Sequence, residues 1–252
     1  MTLSNSSQVL LEITPRAATI TLNSPQTRNA LSAELLVDLV GAIEKAGESK
    51  SRVIVLTHTP LVFSSGLDLN RVASGSIDLG GLAKVILALR RVRQPTIAVI
   101  SGAVRAGGLG IMAACDLVVV APTVDFAFTE VKIGAVPATV SVPILARVGW
   151  SNLVAAFITA EVFDARRALE IGLVSHVSED PHATAKGLID SICAGGPEAV
   201  ATTIKILRTA AEGAYEKNLD QMRKLSEHVF GSEEAKEGIA AFLEKRPPLW
   251  RL

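Results

Sequence analysis

The sequence predicts an α/β fold in which parallel strands are joined by helices. Three observations carry that expectation. Short continuous apolar runs at Val53–Leu56, Thr96–Ile100 and Leu117–Ala121 have the pattern of strands buried on both faces. Segments with apolar residues at helical spacing lie between them. The order strand, helix, strand repeats through the first half, as it does where parallel strands are linked by crossover helices.

Val9–Ile13 and Ala17–Leu22 read as two short strands broken by Thr14-Pro15-Arg16. Ser32 can N-cap a helix through Glu44, with Leu35, Leu36, Leu39, Val40 and Ile43 at helical spacing. After the strand at Val53–Leu56, Leu79–Val92 forms a second amphipathic helix that ends before Pro95. From Val140 onward the pattern is helical, with one short strand near Leu173–Val177 and a run that Trp150 opens from the core. Gly195-Gly196-Pro197 reads as a hinge. Glu198–Ala211, Tyr215–Phe230 and Glu233–Leu243 follow as a helical tail. The tail has many apolar positions and little core of its own, so it is expected to pack on another element or subunit. The chain thus divides into a core over 1–195 and a C-terminal helical region over 196–252.

With 252 residues, 49% of them hydrophobic and 20% charged, the chain can bury a sizeable core. Lys+Arg and Asp+Glu are both 25 and aromatics are 4%, which argues against nucleic acid as a partner. Cys115 and Cys193 form no disulfide framework, which suits the cytoplasm. His58, His176, His182 and His228 lack metal-ligand spacing, so no metal is expected; His58 and His176 read as structural. Neither a signal peptide nor a membrane-spanning run is expected. Asn5-Ser6-Ser7 matches a glycosylation sequon by chance.

Three segments are candidates for chemistry. Phe63-Ser64-Ser65-Gly66-Leu67-Asp68-Leu69 follows one predicted strand. Ser101-Gly102-Ala103-Val104-Arg105-Ala106-Gly107-Gly108-Leu109-Gly110 follows the next and opens a helix. Glycines admit close backbone approach, and a helix N-terminus presents unpaired N–H groups. Two such groups converging on one point make an oxyanion hole. Taken alone, Gly107-Gly108 reads first as tight helix–strand packing. The turn is neither a P-loop nor a dinucleotide fingerprint. The third segment, Phe126–Pro137, sets Glu130 among apolar residues. Glu130 is either a solvated charge in a first helical turn or a general base whose pKa burial raises. Arg105 is either a surface charge or a contact for a bound ligand.

Together these segments resemble the enoyl-CoA hydratase/isomerase (crotonase) superfamily over nearly the whole chain. Arg28-Asn29-Ala30-Leu31-Ser32 is similar to its CoA-lining "NAL" segment, and Phe63–Leu69 to its "F-[SA]-[AS]-G-x-D-L" loop. Gly107-Gly108 through Cys115-Asp116 is similar to its glycine turn, and Ala241–Arg246 to its C-terminal "FLEKR". The resemblance implies a crotonase-like spiral of ββα units with a C-terminal helical trimerisation region, assembled as a homotrimer or as a homohexamer of two trimers. It implies an acyl-CoA substrate, with CoA entering as part of the thioester and no separate cofactor. The thioester oxygen would sit between the backbone N–H groups of Leu67 and Gly107. By family position Gln26, Arg28, Ala30, Ser65, Gly66, Asp68, Leu69, Gly108, Phe242 and Lys245 belong to the substrate and CoA site. Phe242 and Lys245 are expected to reach a neighbouring subunit's CoA, and Asp68 to cap the following helix. Apolar acyl linings are expected around Val72–Leu87 and Val136–Ile144.

One departure matters. Family hydratases use two glutamates; Glu130 matches the second, and the first falls on Gly110. The missing carboxylate is expected to leave space beside the thioester for water or a bulkier acyl chain. One glutamate suffices to move a proton from C2 to C4 of a 3-enoyl thioester. It can also hydrate a 2-enoyl thioester if a second polar group, such as Thr129, Thr139 or Ser141, holds the water. Hydration is placed ahead of isomerisation, with a non-catalytic acyl-CoA-binding protein as a further alternative.

Overall fold

A computed structural model describes residues 7–69, 79–210 and 215–250. β1 (Val9–Ile13) and β2 (Ala17–Leu22) form an antiparallel hairpin whose turn is closed by the Thr14 N–H on the Ala17 carbonyl at 3.0 Å. β3 (Val53–His58), β5 (Thr96–Ile100), β7 (Leu117–Val120) and β10 (His176–Val177) continue from β2 as parallel neighbours in the order β1-β2-β3-β5-β7-β10. A second sheet has the order β4-β6-β8-β9, from β4 (Val62–Ser64), β6 (Ala103–Arg105), β8 (Asp125–Ala127) and β9 (Phe163–Asp164). Its first three strands are parallel and β9 is antiparallel.

Each turn of the chain therefore lays one strand in the large sheet and the next in the small one, and then reaches a helix. The sequence runs β3, β4 and later α2 (Leu79–Arg91); β5, β6 and α3 (Gly107–Ala114); β7, β8 and α4 (Ala138–Leu145). This is the expected spiral of ββα units. The strands of the small sheet escape a periodicity search because three residues show no period.

The apolar runs of β3 and β5 follow from their double burial. Ile54, Leu56, Ala98 and Ile100 face the main core with Leu35, Leu39 and Ile43 of α1 (Ala33–Glu48) and Ile86 and Leu89 of α2. Val53, Val55, Ile97 and Val99 face the other way, against α7 (Pro181–Ala194) through Ala185, Leu188, Ile189 and Ile192. Ser32 caps α1, its Oγ accepting the Leu35 N–H at 3.1 Å. Ala46 is fully buried, and α1 continues past Glu44 to Glu48.

The C-terminal helices lie against this core. Tyr215 and Leu219 of α9 (Tyr215–Phe230) belong to the main apolar cluster, and α9 packs on α4 and α2. Gly195-Gly196 separates α7 from α8 (Pro197–Ala210). Arg52 ties that corner down, donating to the carbonyls of Ile192, Cys193 and Gly195. Ala211, the expected end of α8, lies outside the described residues. Trp150 does not enter the core: it opens a 3-10 turn at 72% exposure, and Leu153 turns inward in its place. Among the described residues no helix is long and apolar enough to cross a membrane.

Candidate active site

The small sheet positions the candidate segments. β4, β6 and β8 run side by side in parallel, so Leu67, Gly107 and Glu130 all follow carboxyl ends of adjacent strands. Ligands of parallel sheets gather at such edges. The first two turns touch. Gly66 has φ +92°, and a β-carbon there would stand 3.0 Å from the Ala106 β-carbon. Ala106 holds φ 47° and ψ −118°, a conformation costing an L-residue about 1–3 kcal/mol. The small sheet holds it there, since the Ala106 N–H donates to the Ala127 carbonyl at 3.1 Å. That backbone opens α3 at Gly107, whose N–H precedes the helix's own acceptors. Among the described residues no acceptor takes the N–H of Leu67 or of Gly107.

Glu130 begins a 3-10 turn, Glu130–Ile133, and is 6% exposed. Its Oε2 is buried and meets no hydrogen-bond donor among the described residues. Burial disfavours the charged form and pushes its pKa up to about 7, against a smaller opposing pull from its own backbone N–H. A carboxyl in that range exchanges protons near neutral pH without a partner.

A cavity of about 430 Å³ joins these groups. Leu67, Gly107 and Glu130 share its wall with the apolar side chains of Leu69, Leu82, Ile133, Val136, Pro137, Val140 and Phe230. Thr129, Thr139 and Ser226 also line it, as do Arg28, Ser65, Arg105, Phe242 and Arg246. α10 (Glu233–Leu243) closes over the 3-10 turn of the same chain, with Gly238 at the contact. A β-carbon on Gly238 would stand 2.4 Å from the Ile133 carbonyl carbon and oxygen.

Comparison with known proteins gives the family and the fold. The family model described as enoyl-CoA hydratase/isomerase matches residues 12–251. The chain belongs to that family. It is 31% identical over 249 residues to the 2,3-dehydroadipyl-CoA hydratase of Escherichia coli K12, covering 96% of this chain and 98% of that protein. A crystal structure of an enoyl-CoA hydratase from Mycobacterium avium is similar at TM-score 0.88 and 35% identity, over 97% of this chain and 99% of that one. A methylmalonyl-CoA decarboxylase in complex with 2-nitronate-propionyl-CoA is similar at TM-score 0.83 and 26% identity, over 96% and 97%. The fold is the crotonase fold.

Within this family member the structure gathers Arg28, Ser65, Leu67, Leu69, Gly107, Glu130 and Phe242 on one cavity. Arg28 is held at φ 58° beside Asn29, whose buried amide accepts the Ser24 N–H at 2.7 Å and donates to the Val62 carbonyl at 3.0 Å. Gln26, Ala30, Gly66, Asp68, Gly108 and Lys245 are not on the wall. Gln26 is exposed and turns back to Ser24 Oγ at 3.3 Å. Gly66 lies beneath the wall, and Gly108 packs: a β-carbon there would meet the Ser64 β-carbon at 2.9 Å. The helix that Asp68 was expected to cap falls on residues 70–78, which lie outside the described residues, as does the first part of the Val72–Leu87 acyl lining. Lys245 is exposed, and Arg246 replaces it on the wall, paired with Glu237 at 2.7 Å. Phe242 lies on the cavity of its own chain.

The expected space at Gly110 does not exist. Val140 fills it, its Cγ1 only 2.8 Å from where a β-carbon would stand. Of the three expected helpers, Thr129 and Thr139 reach the cavity, while Ser141 spends its hydroxyl on the Ala138 carbonyl at 2.7 Å. Arg105 is half-buried and pairs with Asp125 at 3.0 Å. His58 is structural: the Ser101 N–H donates to its Nε2 at 3.0 Å, so Nδ1 carries the proton facing the Thr59 carbonyl at 2.8 Å. Ser226, Phe230 and Arg246 were missed. Leu219, Ser226 and Phe230 share one buried stripe of α9, so a serine in an apolar helical period was the available signal.

Proposed function

We propose that this enzyme hydrates a 2-enoyl-CoA thioester. One observation carries the proposal: a buried Glu130 carboxyl, its Oε2 without a partner among the described residues, shares a cavity with two uncommitted backbone N–H groups. The thioester oxygen sits between the N–H groups of Leu67 and Gly107. Charge that develops there on addition at C3 is stabilised by about 2.7–4 kcal/mol per donor. Glu130, as carboxylate, takes a proton from water as the oxygen bonds to C3. It then returns a proton to C2 as the enolate collapses. The exposed Arg28 guanidinium at the cavity suits a CoA phosphate.

A second reading, isomerisation of a 3-enoyl to a 2-enoyl thioester, is favoured by the sealed position at Gly110, which among the described residues leaves one carboxyl on the wall. A paired assay separates them. Purified protein is given a trans-2-enoyl-CoA or its 3-enoyl isomer in ¹⁸O-labelled water, and products are read by mass spectrometry. Label gained by the 2-enoyl substrate supports hydration. Conversion of the 3-enoyl substrate without label supports the isomerase. Inertness of both substrates overturns both readings. Assembly as a trimer or a dimer of trimers is proposed with them, supported by the exposed apolar side chains Trp150, Val154 and Ile158. A reducing cytoplasm fits the two free thiols.

A further inference from the structure

With Gly110 sealed under Val140, the cavity needs another means of holding water against C3. Among the described residues three polar side chains on its wall are buried: Glu130, Thr139 and Ser226. Thr139 and Ser226 are each 2% exposed. They come from α4 and α9 and meet at the cavity wall, with the Thr139 hydroxyl donating to Ser226 Oγ at 3.2 Å and the Thr139 N–H donating to the same oxygen at 3.3 Å. The other polar side chains on the wall are less buried: Arg105 pairs with Asp125, Arg246 pairs with Glu237, Thr129 is half-buried, and Arg28, Ser65 and Lys132 are exposed.

Hydrogen counting gives the pair its character. Two hydroxyls hold two protons, and one closes the bond between them. The Thr139 hydroxyl donates, so the Ser226 O–H and the Thr139 oxygen lone pairs remain for a third group. That is one donor and one acceptor, the complement of a single water molecule, on the same wall as Val136, Pro137, Val140 and Phe230. A buried hydroxyl with no further partner costs stability, so a polar occupant is favoured there.

We propose that the Thr139–Ser226 hydroxyl pair holds the reacting water, in the role of the second carboxylate this chain lacks; the inference rests on the hydratase reading above. The pair exchanges no proton. Water oxygen bonds to C3, and one of its protons passes to the Glu130 carboxylate. The C2–C3 π electrons move toward the thioester, and C2 then receives the proton from Glu130, so one water adds and nothing else is consumed.

The test compares Ser226→Ala, Thr139→Val and Thr139→Ser with the parent protein in two assays. Exchange of the α-protons of butyryl-CoA in deuterium oxide needs Leu67, Gly107 and Glu130 but no water addition. Hydration of a 2-enoyl-CoA needs the held water as well. Ser226→Ala and Thr139→Val are expected to slow hydration ~10–100-fold, the scale of lost positioning, with exchange within about two-fold of the parent. Thr139→Ser, which keeps the hydroxyl, is expected to hydrate near the parent rate. Unchanged hydration in both deletions overturns the inference, as does a matching fall in exchange, which would mark the pair as structural. If either deletion fails to fold, the other decides by the same comparison. Absence of exchange in the parent overturns the site reading itself, and the inference with it.

Discussion

Val140 occupies the place that a side chain at Gly110 would need. A β-carbon on Gly110 would lie 2.8 Å from Val140 Cγ1, 3.1 Å from its β-carbon and 3.2 Å from its α-carbon. The contact belongs to the packing of α3 on α4, the two helices that carry Gly107 and Thr139. The number of carboxyls in this cavity is therefore set by helix packing.

Gly110→Ala should destabilise the protein even though alanine is the better helix former. Helix propensity favours alanine by about 0.8–1 kcal/mol, while overpacking a core contact costs about 1–3 kcal/mol. A net loss is expected in denaturant unfolding. Val140→Ala should recover part of it by removing Cγ1, though the backbone contact remains. Gly110→Glu should be worse still and should gain no hydration activity. A stable, faster Gly110→Glu enzyme would show that α4 yields.

Glu130 links activity and stability to pH with opposite signs. Its folded pKa is about 7 against 4.5 for the ordinary carboxyl. Catalysis by the carboxylate should rise through pH of about 7 to a plateau in kcat/KM. Stability runs the other way. Between pH 4.5 and 7 the folded state holds a proton that the unfolded chain has lost, so the stability present at acid pH falls as pH rises through the folded value. The stability difference between Glu130→Gln and the parent should widen by about 3 kcal/mol in favour of Gln from pH 4 to pH 8. Turnover by Glu130→Gln should fall ~100-fold or more with acyl-CoA binding retained. Equal pH dependence of stability in the two proteins would place the titration elsewhere.

What the sequence revealed depended on how local each signal is. The apolar runs of β3 and β5 were legible because both faces are buried, and Ser32 because a cap lies next to its helix. The strands β4, β6 and β8 are too short to show a period, yet they set Leu67, Gly107 and Glu130 side by side. The packing at Gly110 was illegible for a different reason. A glycine reads as free space in a sequence, and only the approach of α4 turns it into a filled contact. Ser226 and Arg246 were missed because their partners on the cavity are distant in the chain and are brought near by the docking of α9 and α10.

Arg208 anchors α8 through the core. It is 5% exposed and meets Asp116 at 2.9 and 2.5 Å, while its remaining N–H groups donate to the carbonyls of Arg90 in the last turn of α2 and of Val92 and Gln94 just beyond it. Asp116 also accepts the N–H and hydroxyl of Thr96 on β5, both at 2.8 Å. Removing one member of such a pair leaves a buried charge, at a cost of about 3–5 kcal/mol. Arg208→Met should therefore lose about that much in chemical denaturation. Combining it with Asp116→Asn should cost less than the two single losses together, since the members share one network. Additive losses would mean that the two residues stabilise the fold independently.

Gly238 ties the C-terminal helix to the Glu130–Ile133 turn. α10 approaches the Glu130–Ile133 turn so closely that a β-carbon at 238 would stand 2.4 Å from the Ile133 carbonyl group and 2.7 Å from its α-carbon. Backbone offers no rotamer with which to yield, so Gly238→Ala must shift either α10 or the turn. Two changes should follow together. The α10 segment should become more sensitive to protease, because Ile239 and Phe230 pack with Ile133 only when it is seated. Phe242 and Arg246 on the cavity wall should move with it, raising KM for the thioester and lowering kcat through Glu130. Limited proteolysis and steady-state kinetics on one preparation check both. Faster cleavage with unchanged kinetics would show that α10 is not part of the working cavity, and the reverse would show that the turn moves while the helix stays.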